Sequence, residues 1–253
     1  MPGRLGRFAK RPARINNFGD LLGPAVVRSL VPIGSKASRP ARRLLTVGSI
    51  AHFAQDGDVV WGTGVNGKIP ITAIVARDLD VRAVRGPRTA QVLSDLGISV
   101  PEVYGDPGLL APGALGIKRA TVPDAVVAAI PNLHDFEKWR DRASVVDPCQ
   151  PIRSVIEQIA KARAVVASSL HGLVIADALG VPSAWVASAS EPRFKYLDYY
   201  EGTNQHGIVR HSSLDEALEA LSNAPRPRTD GVIAAFPIDL WELPHATSAH
   251  KAY

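Results

Sequence analysis

Short apolar runs alternate with stretches of helical spacing along most of the chain. The apolar runs have the length of strands, and several end in glycine-rich turns, as in LLTVGSI, DVVWGTG and VRAVRG. One helical stretch begins at Pro87 and stops at Gly97, and both residues are favoured at those positions. Strands that alternate with helices favour parallel sheets built from βαβ units. We therefore expect an α/β fold.

A second series of strands and helices follows the first. Its clearest part predicts a buried strand over Ala164 to Ala167 and a helix over His171 to Leu179, closed by Gly180 and Pro182. The two series together indicate two α/β lobes. We place the boundary between them in the segment 112–123.

Composition narrows the class of protein. Hydrophobic residues make up 46% of the chain, which is enough to form a packed core and argues against wholesale disorder. The single cysteine, Cys149, cannot form an internal disulfide or a cysteine cage for zinc, and this fits a reducing compartment. No apolar run reaches the roughly 18 residues that a membrane span needs, so we expect a cytoplasmic protein.

The formal net charge of +5 is compatible with an anionic substrate, an anionic membrane or nucleic acid. Basic residues are not interleaved with aromatic ones, so we expect no nucleic-acid partner. Part of the positive charge lies at the start of the chain, on Arg4, Arg7, Lys10, Arg11 and Arg14. Two interpretations of these cations stay open. They form a solvated tail, or they attract the chain peripherally to an anionic inner membrane, where each adds about 1 kcal/mol.

The candidate binding residues share one position in this scheme, because they fall in loops and most follow a predicted strand. In open α/β sheets, ligands bind outside the carboxyl ends of the strands. Two lobes facing each other would place all of these loops around one cleft. The loops are Asn17 to Asp20, Gly62 to Gly64, Arg85, Asp106 and Ser168 to His171.

The sequence SSLHG gives the strongest local signal. Ser168 or Ser169 can cap a helix that begins near His171, and the free N–H groups of that helix end favour an anion such as phosphate. His171 then stands beside the anion and can donate a proton. An equally good interpretation is a capping loop with a hydrogen-bonded structural histidine.

Two arginines flank the start of the helix at Pro87. The guanidinium fork of Arg85, at a strand end, suits a phosphate or carboxylate. Arg88 is better explained as a surface residue. The segment 191–200 adds two cations and two aromatic residues that could bind a phosphate and stack on a sugar, or it is an irregular surface segment. These four residues are Arg193, Lys195, Tyr199 and Tyr200.

Three turns supply weaker candidates. Gly62 and Gly64 allow close backbone approach in VWGTG. Asn17 and Asp20 lie in NNFGD, where Asp20 could instead cap the helix that follows. Asp106 lies in YGDPG, which is also a sequence typical of a plain turn. The chain has no HExxH, CxxC pair, P-loop or GxSxG, so neither metal chemistry nor serine hydrolysis is indicated.

Taken in order, these motifs resemble the polysaccharide pyruvyl transferase family over about residues 16–202. The resemblance implies a GT-B-like fold of two Rossmann-like lobes with parallel sheets and an interlobe cleft. The lobe over 1–117 would supply the acceptor side and part of the donor site, and the lobe over 118–253 the donor-phosphate loop. The motifs are NNFGD, VWGTG, AVRGPRT, YGDPGLL, IPNLHDF, VVDP, ASSLHGLVIADALGVP and EPRFKYLDYY.

This resemblance implies a reaction similar to that of the bacterial ketal-pyruvate transferases of exopolysaccharide synthesis. Phosphoenolpyruvate would be the donor, without a cofactor or a metal, and a sugar or lipid-linked oligosaccharide the acceptor. The product would be a pyruvate ketal on two sugar hydroxyls. A lipid-linked acceptor would bring the protein to the cytoplasmic face of the membrane.

The resemblance also assigns roles. The arginine of the family's VRG motif falls on Arg85 and its catalytic histidine on His171, the expected acid. Only these two residues have support from the family's motifs. The chemistry of the reaction also needs a carboxylate to orient or deprotonate hydroxyls, for which Asp20 or Asp106 is the candidate. The expected substrate-binding residues are Arg85, Ser168, Ser169, Gly172, Lys195, Asn17, Gly62, Gly64 and His134.

Two positions depart from the family's pattern. Relatives can carry an arginine two places before the histidine, where this chain has Ser169. The IPH pattern becomes Ile130-Pro131-Asn132, with His134 two residues later. We expect Lys195 to supply the cation that Ser169 does not. Two other functions stay open, a nucleotide-sugar glycosyltransferase of GT-B fold and a non-catalytic binding protein, although the intact His171 argues against the second.

Overall fold

The computed structural model describes residues 17–221 and 226–244. The basic residues at the start of the chain and the tail after Pro244 lie outside the described residues. The described strands form two parallel sheets and one antiparallel pair. The first sheet holds β2 (Leu44–Leu45), β3 (Val59–Trp61) and β4 (Asp80–Ala83); the second holds β5 (Val127–Ile130), β6 (Ala164–Ala167), β7 (Ser183–Val186) and β8 (Arg210–His211); the pair is β1 (Lys36–Ala37) with β9 (Trp241–Glu242).

Helices connect and cover these sheets. Short 3₁₀ turns add to them, among them Pro107–Leu110. The α-helices are α1 (Phe18–Leu30), α2 (Pro87–Asp95), α3 (Ala111–Ala114), α4 (Phe136–Trp139), α5 (Ile152–Lys161), α6 (Leu170–Leu179), α7 (Phe194–Gly202), α8 (Leu214–Glu219) and α9 (Asp230–Ala234).

The strand β6 and the helix α6 confirm the clearest sequence prediction. All residues of β6 are buried, as expected for a parallel strand that is covered on both faces. The helix begins at Leu170, one residue earlier than predicted, because the side chain of Ser169 caps it. It ends at Gly180, whose φ of 66° is the left-handed conformation that glycine adopts most easily.

The order of strands in the second sheet creates a switch point. Ala129 in β5 forms a parallel bridge with Val145, and on its other side β5 pairs with β6. The chain therefore leaves β5 for one side of the sheet and then crosses to the other, in the order 2-1-3-4-5. In sheets of this kind the crevice at the carboxyl ends of the two strands at the switch is the usual ligand site.

One hydrophobic core cluster takes in residues of both parallel sheets, among them Trp61 of β3 and Ile130 of β5. The start of α1 is tied to the second sheet's side by a hydrogen bond from the Phe18 N–H to the Pro148 carbonyl, 2.8 Å long. A second hydrogen bond joins the first sheet to α9, because the Trp61 indole N–H donates to the Val232 carbonyl at 2.8 Å. The α/β fold with parallel sheets is confirmed, and the two GT-B-like lobes stay a prediction.

The segment 191–200 is not an irregular surface loop, and its tyrosines lie in the core. Most of it forms α7, and both Tyr199 and Tyr200 are buried in the core. The Tyr199 hydroxyl donates to the buried carboxylate of Asp177 at 2.7 Å. The prediction that these two tyrosines stack on a sugar ring is therefore wrong, because the helix turns them towards the sheet.

Membrane insertion by a helix has no support in the described ranges. No helix in 17–221 or 226–244 combines the length and the apolar character that crossing a bilayer requires.

Candidate active site

A cavity of about 210 Å³ opens at the switch point, where the carboxyl ends of β5 and β6 face the loop after β2. Separate parts of the chain contribute to its wall, and several lie far apart in sequence. The wall includes Asn17, Phe18 and Asp20 at the start of α1, Gly48 to Ile50 after β2, Pro131 to His134 after β5, Pro148, Ser169 to His171 after β6, and Glu191 with Lys195 near α7.

The amino end of α6 lies in this wall. The Ser169 side chain accepts a hydrogen bond from the Gly172 N–H at 3.3 Å, which is the capping contact expected from the sequence. Ser169 itself lines the cavity, as does His171 in the first turn of the helix. A helix end of this kind presents partial positive charge to the cavity and favours an anionic ligand.

Ser168 and Gly172 shape the wall from behind without lining it. The Ser168 hydroxyl donates to the Asp135 carboxylate at 2.8 Å and accepts from the Asn132 N–H at 2.9 Å, so it fixes the loop after β5. A Cβ on Gly172 would lie 2.8 Å from Cγ2 of Ile130, so only glycine lets α6 approach β5 this closely. Both residues were predicted to bind substrate directly, and the structure gives them supporting positions instead.

His171 projects from α6 into a narrow space at the edge of the cavity. A Cβ on Gly19 would clash with Nδ1 of His171, so the glycine in the first turn of α1 leaves the room that the ring occupies. Burial, together with the positive charges of Lys195 and Arg85, lowers the pKa of His171 to about 3. The imidazole is therefore neutral at physiological pH when the cavity holds no anion.

Asp106 lies behind His171 and not in the cavity wall. Its carboxylate is fully buried, and one oxygen accepts a hydrogen bond from the Gly108 N–H at 2.8 Å. Its other oxygen lies 4.0 Å from Nε2 of His171. Burial raises the pKa of Asp106 to about 6. A direct contact between Asp106 and a sugar hydroxyl, as predicted, does not fit this buried position.

Lys195 is the cation that the structure brings to the cavity. Its ammonium donates to Glu191 at 2.7 Å, and Glu191 also pairs with Lys68 from the loop after β3. Burial lowers the pKa of Lys195, while the Glu191 carboxylate opposes that shift. The side chain does not point to bulk solvent, because Lys195 is only 8% exposed. This placement agrees with the sequence-based expectation of a second cation near His171.

Arg85 does not reach the cavity. Its side chain is completely buried and forms an ion pair with the equally buried Asp198, at 2.9 Å. Its two terminal nitrogens also donate, one to the Ser49 hydroxyl at 2.6 Å and the other to the Val65 carbonyl at 2.7 Å. Of these partners only Ser49 lines the cavity. Arg85 therefore lies behind the cavity wall and reaches it only through Ser49, a position that does not fit the predicted direct contact with the donor.

The two glycines of VWGTG have packing roles near this arginine. A Cβ on Gly64 would clash with the Arg85 guanidinium, and one on Gly62 would clash with Pro107. Gly62 also has a φ of 80°, which other residues adopt with strain. Neither glycine lines the cavity, so the prediction that they contact substrate does not match their positions.

Asn17, Asp20 and His134 lie in the cavity wall, as the sequence predicted. Asn17 caps α1, since its side chain accepts from the Asp20 N–H at 3.3 Å and donates to the Asp20 carboxylate at 3.1 Å. The alternative in which Asp20 is itself the cap is therefore wrong. The His134 N–H donates to the Asn132 side chain at 3.0 Å, which places the His134 side chain at the exposed side of the loop.

The part of the chain that forms this site matches a known protein family. A sequence model of the family described as polysaccharide pyruvyl transferase matches residues 17–190, which include most of the cavity wall. The chain belongs to the polysaccharide pyruvyl transferase family.

The chain is also similar to individual proteins. The succinoglycan biosynthesis protein ExoV of Rhizobium meliloti (strain 1021) is 32% identical over 225 residues, covering 83% of this chain and 69% of its own. An uncharacterized protein of Acanthamoeba polyphaga mimivirus is 26% identical over 167 residues, covering 60% of this chain and 57% of its own. A crystal structure of an uncharacterized protein of Klebsiella pneumoniae has a TM-score of 0.45 at 12% identity, covering 78% of this chain and 89% of that one.

Some residues of this pyruvyl transferase site were missed in the sequence. Gly48, Ser49 and Ile50 line the cavity, although the segment was interpreted only as a strand and its turn. A Gly-Ser pair directly after a strand was the available signal. Glu191 was also missed, because nothing local shows that it pairs with Lys195 and Lys68. The described residues contain no group of three or more histidine, cysteine, aspartate or glutamate side chains arranged to hold a metal ion.

Proposed function

We propose that the protein transfers the pyruvyl group of phosphoenolpyruvate to two hydroxyls of a sugar, forming a ketal. One observation carries this proposal. A helix amino end, a buried lysine and a histidine converge on a single cavity at the sheet's switch point. The cavity's volume of about 210 Å³ is below the roughly 300–1,000 Å³ of sites for drug-sized ligands. A compact trianion such as phosphoenolpyruvate suits both its size and its charge.

The phosphate and the carboxylate of the donor would contact different positively charged features of the cavity. The amino end of α6, capped by Ser169, favours phosphate, and Lys195 can reach either phosphate or carboxylate. The Lys195 ammonium is paired with the Glu191 carboxylate in the structure, so we infer that the donor replaces part of that ion pair. Lys195 then provides the positive charge that some relatives obtain from an arginine at the position of Ser169.

His171 would supply the proton that starts the reaction. Transfer of a proton from the imidazolium to the methylene carbon leaves an oxocarbenium-like centre at the neighbouring carbon. A sugar hydroxyl adds there and its proton restores His171. The phosphate then leaves with the proton of the second hydroxyl as the ketal ring closes. Every proton is accounted for, since one ends on the new methyl group and the other on the released phosphate.

The low pKa of the free histidine fits this sequence of events. At about 3 it leaves His171 neutral before the donor binds. A bound phosphate and carboxylate bring negative charge within a few ångströms, and opposite charge favours the protonated form. The acid is therefore formed only when the donor is in place, which protects against loss of the proton to water.

The acceptor side is proposed from the exposed rim. Asp20 and His134 lie at the rim, where a sugar can approach, while His171 and Lys195 are deeper. The relation to a succinoglycan biosynthesis protein supports an exopolysaccharide precursor as the acceptor. A lipid-linked precursor would bring the protein to the cytoplasmic face of the membrane, with the lobe over 1–117 on the acceptor side.

Phosphate release tests the donor directly. The purified protein is incubated with phosphoenolpyruvate and a panel of glycan acceptors that carry free diols, and nucleotide sugars are run in parallel. We expect acceptor-dependent phosphate release from phosphoenolpyruvate alone. Turnover of only the nucleotide sugars would reverse the proposal in favour of a glycosyltransferase. Binding of phosphoenolpyruvate without turnover on any acceptor would favour a binding protein.

A further inference from the structure

Two buried polar atoms face each other behind the cavity without a partner. Within the described residues, neither Nε2 of His171 nor Oδ2 of Asp106 has a hydrogen bond, although both atoms are buried. They lie 4.0 Å apart. A buried polar atom without a hydrogen bond costs about 1–3 kcal/mol, so a pair left this way in one place calls for a function.

We propose that Asp106 is a positioning residue that holds the Nε2–H of His171 and stabilises its imidazolium form during proton transfer. The inference rests on the proposed function for the identity of the reaction, but the pairing itself concerns only this chain. Asp106 contacts no substrate, because its carboxylate is fully buried. It acts through His171, whose ring separates it from the cavity.

The orientation of the ring gives its two nitrogens different tasks. Nδ1 lies against Gly19 in the first turn of α1, and the neighbouring residues Phe18 and Asp20 line the cavity. His171 itself lines the cavity and its Nε2 is buried, so we assign Nδ1 to the substrate side. Nε2 points into the interior towards Asp106. A carboxylate on the interior nitrogen fixes the tautomer that leaves Nδ1 available to accept and return a proton.

The surrounding charges explain why the carboxylate is required. His171 faces the positive groups Lys195 and Arg85, which disfavour the imidazolium. Asp106 is a negative group 4.0 Å from Nε2 of the ring, and Arg85 favours its ionised form while Asp198 disfavours it. With a pKa of about 6, Asp106 is mainly ionised at neutral pH, so it opposes the two cations where the proton must be held.

Closing the pair needs only a small movement. A normal hydrogen bond between these atoms is about 2.7–2.9 Å long, so the observed 4.0 Å must shorten by about 1 Å. Catalytic hydrogen bonds are often long in ligand-free sites and tighten in the complex. The donor, by bringing His171 to its charged form, supplies the attraction that closes this gap.

The tautomer of His171 tests the pairing, and Asp106→Asn is the variant. The amide that this substitution introduces keeps the contact from the Gly108 N–H through its oxygen, and its NH₂ then faces Nε2. An NH₂ donor forces Nε2 to be the acceptor, so the proton must move to Nδ1. We expect nitrogen NMR at neutral pH to show the Nε2–H tautomer in the wild type and the Nδ1–H tautomer in Asp106→Asn. The chain has 7 histidines, so His171→Gln assigns the signal.

Asp177→Asn provides the matched control. Asp177 is a buried carboxylate on α6 that is bound by Tyr199 and Gln205, and its pKa is also raised by burial, to about 6. The tautomer of His171 should not change in this variant. With phosphoenolpyruvate and acceptor, Asp106→Asn should lower kcat about 10²-fold or more while the donor's KM changes little.

The tautomer experiment contains no donor, so it separates this inference from the proposed function. If Asp106→Asn keeps the Nε2–H tautomer, or the wild type carries the proton on Nδ1, the pairing is overturned whatever the reaction is. If the tautomer changes as expected but phosphoenolpyruvate is not turned over by the wild type, the pairing stands and the proposed reaction fails.

Discussion

Replacing Arg85 shows whether this residue binds the donor or stabilises the interior of the protein. In Arg85→Met the buried ion pair with Asp198 is lost, and so are the contacts with Ser49 and Val65. Removing one partner of a buried pair costs about 3–5 kcal/mol, because the other charge stays buried. Asp198 keeps two hydrogen bonds from Thr89, at 2.8 and 2.7 Å, so we expect the lower end, about 3 kcal/mol.

This loss should be visible in the melting temperature. At about 2–4 °C per kcal/mol for a protein of this size, a loss of about 3 kcal/mol lowers the Tm by about 6–12 °C. Urea unfolding with an unchanged slope would confirm that stability, and not the compactness of the unfolded state, has changed. Arg85→Lys keeps the charge and should lose less, which provides a second variant if Arg85→Met does not fold.

Arg88→Met is the matched control, three residues along. Arg88 also pairs across to α7, with Glu201 at 2.6 Å, but the two side chains are much more exposed, at 40% and 34%. An exposed pair of this kind contributes about 0.2–1 kcal/mol. The reasoning is refuted if Arg85→Met unfolds like Arg88→Met while its Kd for phosphoenolpyruvate rises, since Arg85 would then bind the donor in solution.

Two further predictions concern the charges of the cavity. Lys195→Met should weaken binding of phosphoenolpyruvate by about 1.5–3 kcal/mol, the range for a hydrogen bond to a charged group, whereas Lys68→Met should change it little; calorimetry measures both, and Ser169→Arg should restore part of the loss. For stability, the pKa of Asp106 is raised to about 6 in the folded state, so its ionisation destabilises the fold as pH rises through that value. Asp106→Asn removes this cost, so the variant's stability relative to the wild type should fall by about 2 kcal/mol from pH 7 to pH 4.5 in urea unfolding; a constant difference would show that the Asp106 pKa is not raised.

The parts of the fold that sequence patterns predicted are those with local causes. The strand Ala164–Ala167 is a continuous apolar run, and Gly180 ends the next helix with a positive φ that few other residues adopt easily. The same local chemistry predicted a cap at Ser168 or Ser169, and the structure has it at Ser169. For this segment, the sequence predicted the strand, the helix and the location of the loop between them at the ligand site.

The parts that sequence patterns missed depend on residues far apart in the chain. The Arg85 guanidinium is buried because Asp198 lies opposite it, 113 positions later. Tyr199 and Tyr200 are buried because α7 turns them towards the core, while the same helix turns Lys195, which was predicted at the site, into the cavity wall. A motif shows which side chains are chemically capable, but the packing of helices decides which of them reach the ligand.

The family pattern and the structure differ over which charges line the cavity. The family pattern predicted Arg85 as a contact of the donor, whereas the cavity wall contains Lys195 and the amino end of α6 and not Arg85. A lysine held by Glu191 and a helix end are both adjustable sources of positive charge. Under the proposed function, they would supply the charge that relatives with an arginine at the position of Ser169 have there.

Ketal formation in deuterated water tests whether the protein transfers the pyruvyl group of phosphoenolpyruvate after His171 protonates its methylene carbon. The wild type is incubated with phosphoenolpyruvate and a diol acceptor, and the product is examined by mass spectrometry and proton NMR. We expect a cyclic pyruvate ketal, released phosphate in equal amount, and a methyl group that has gained one deuterium. In His171→Asn the rate should fall by about 10²-fold or more, while the surface variant His206→Asn should match the wild type. Ketal formation at an unchanged rate in His171→Asn, or product only from nucleotide sugars, would contradict the account.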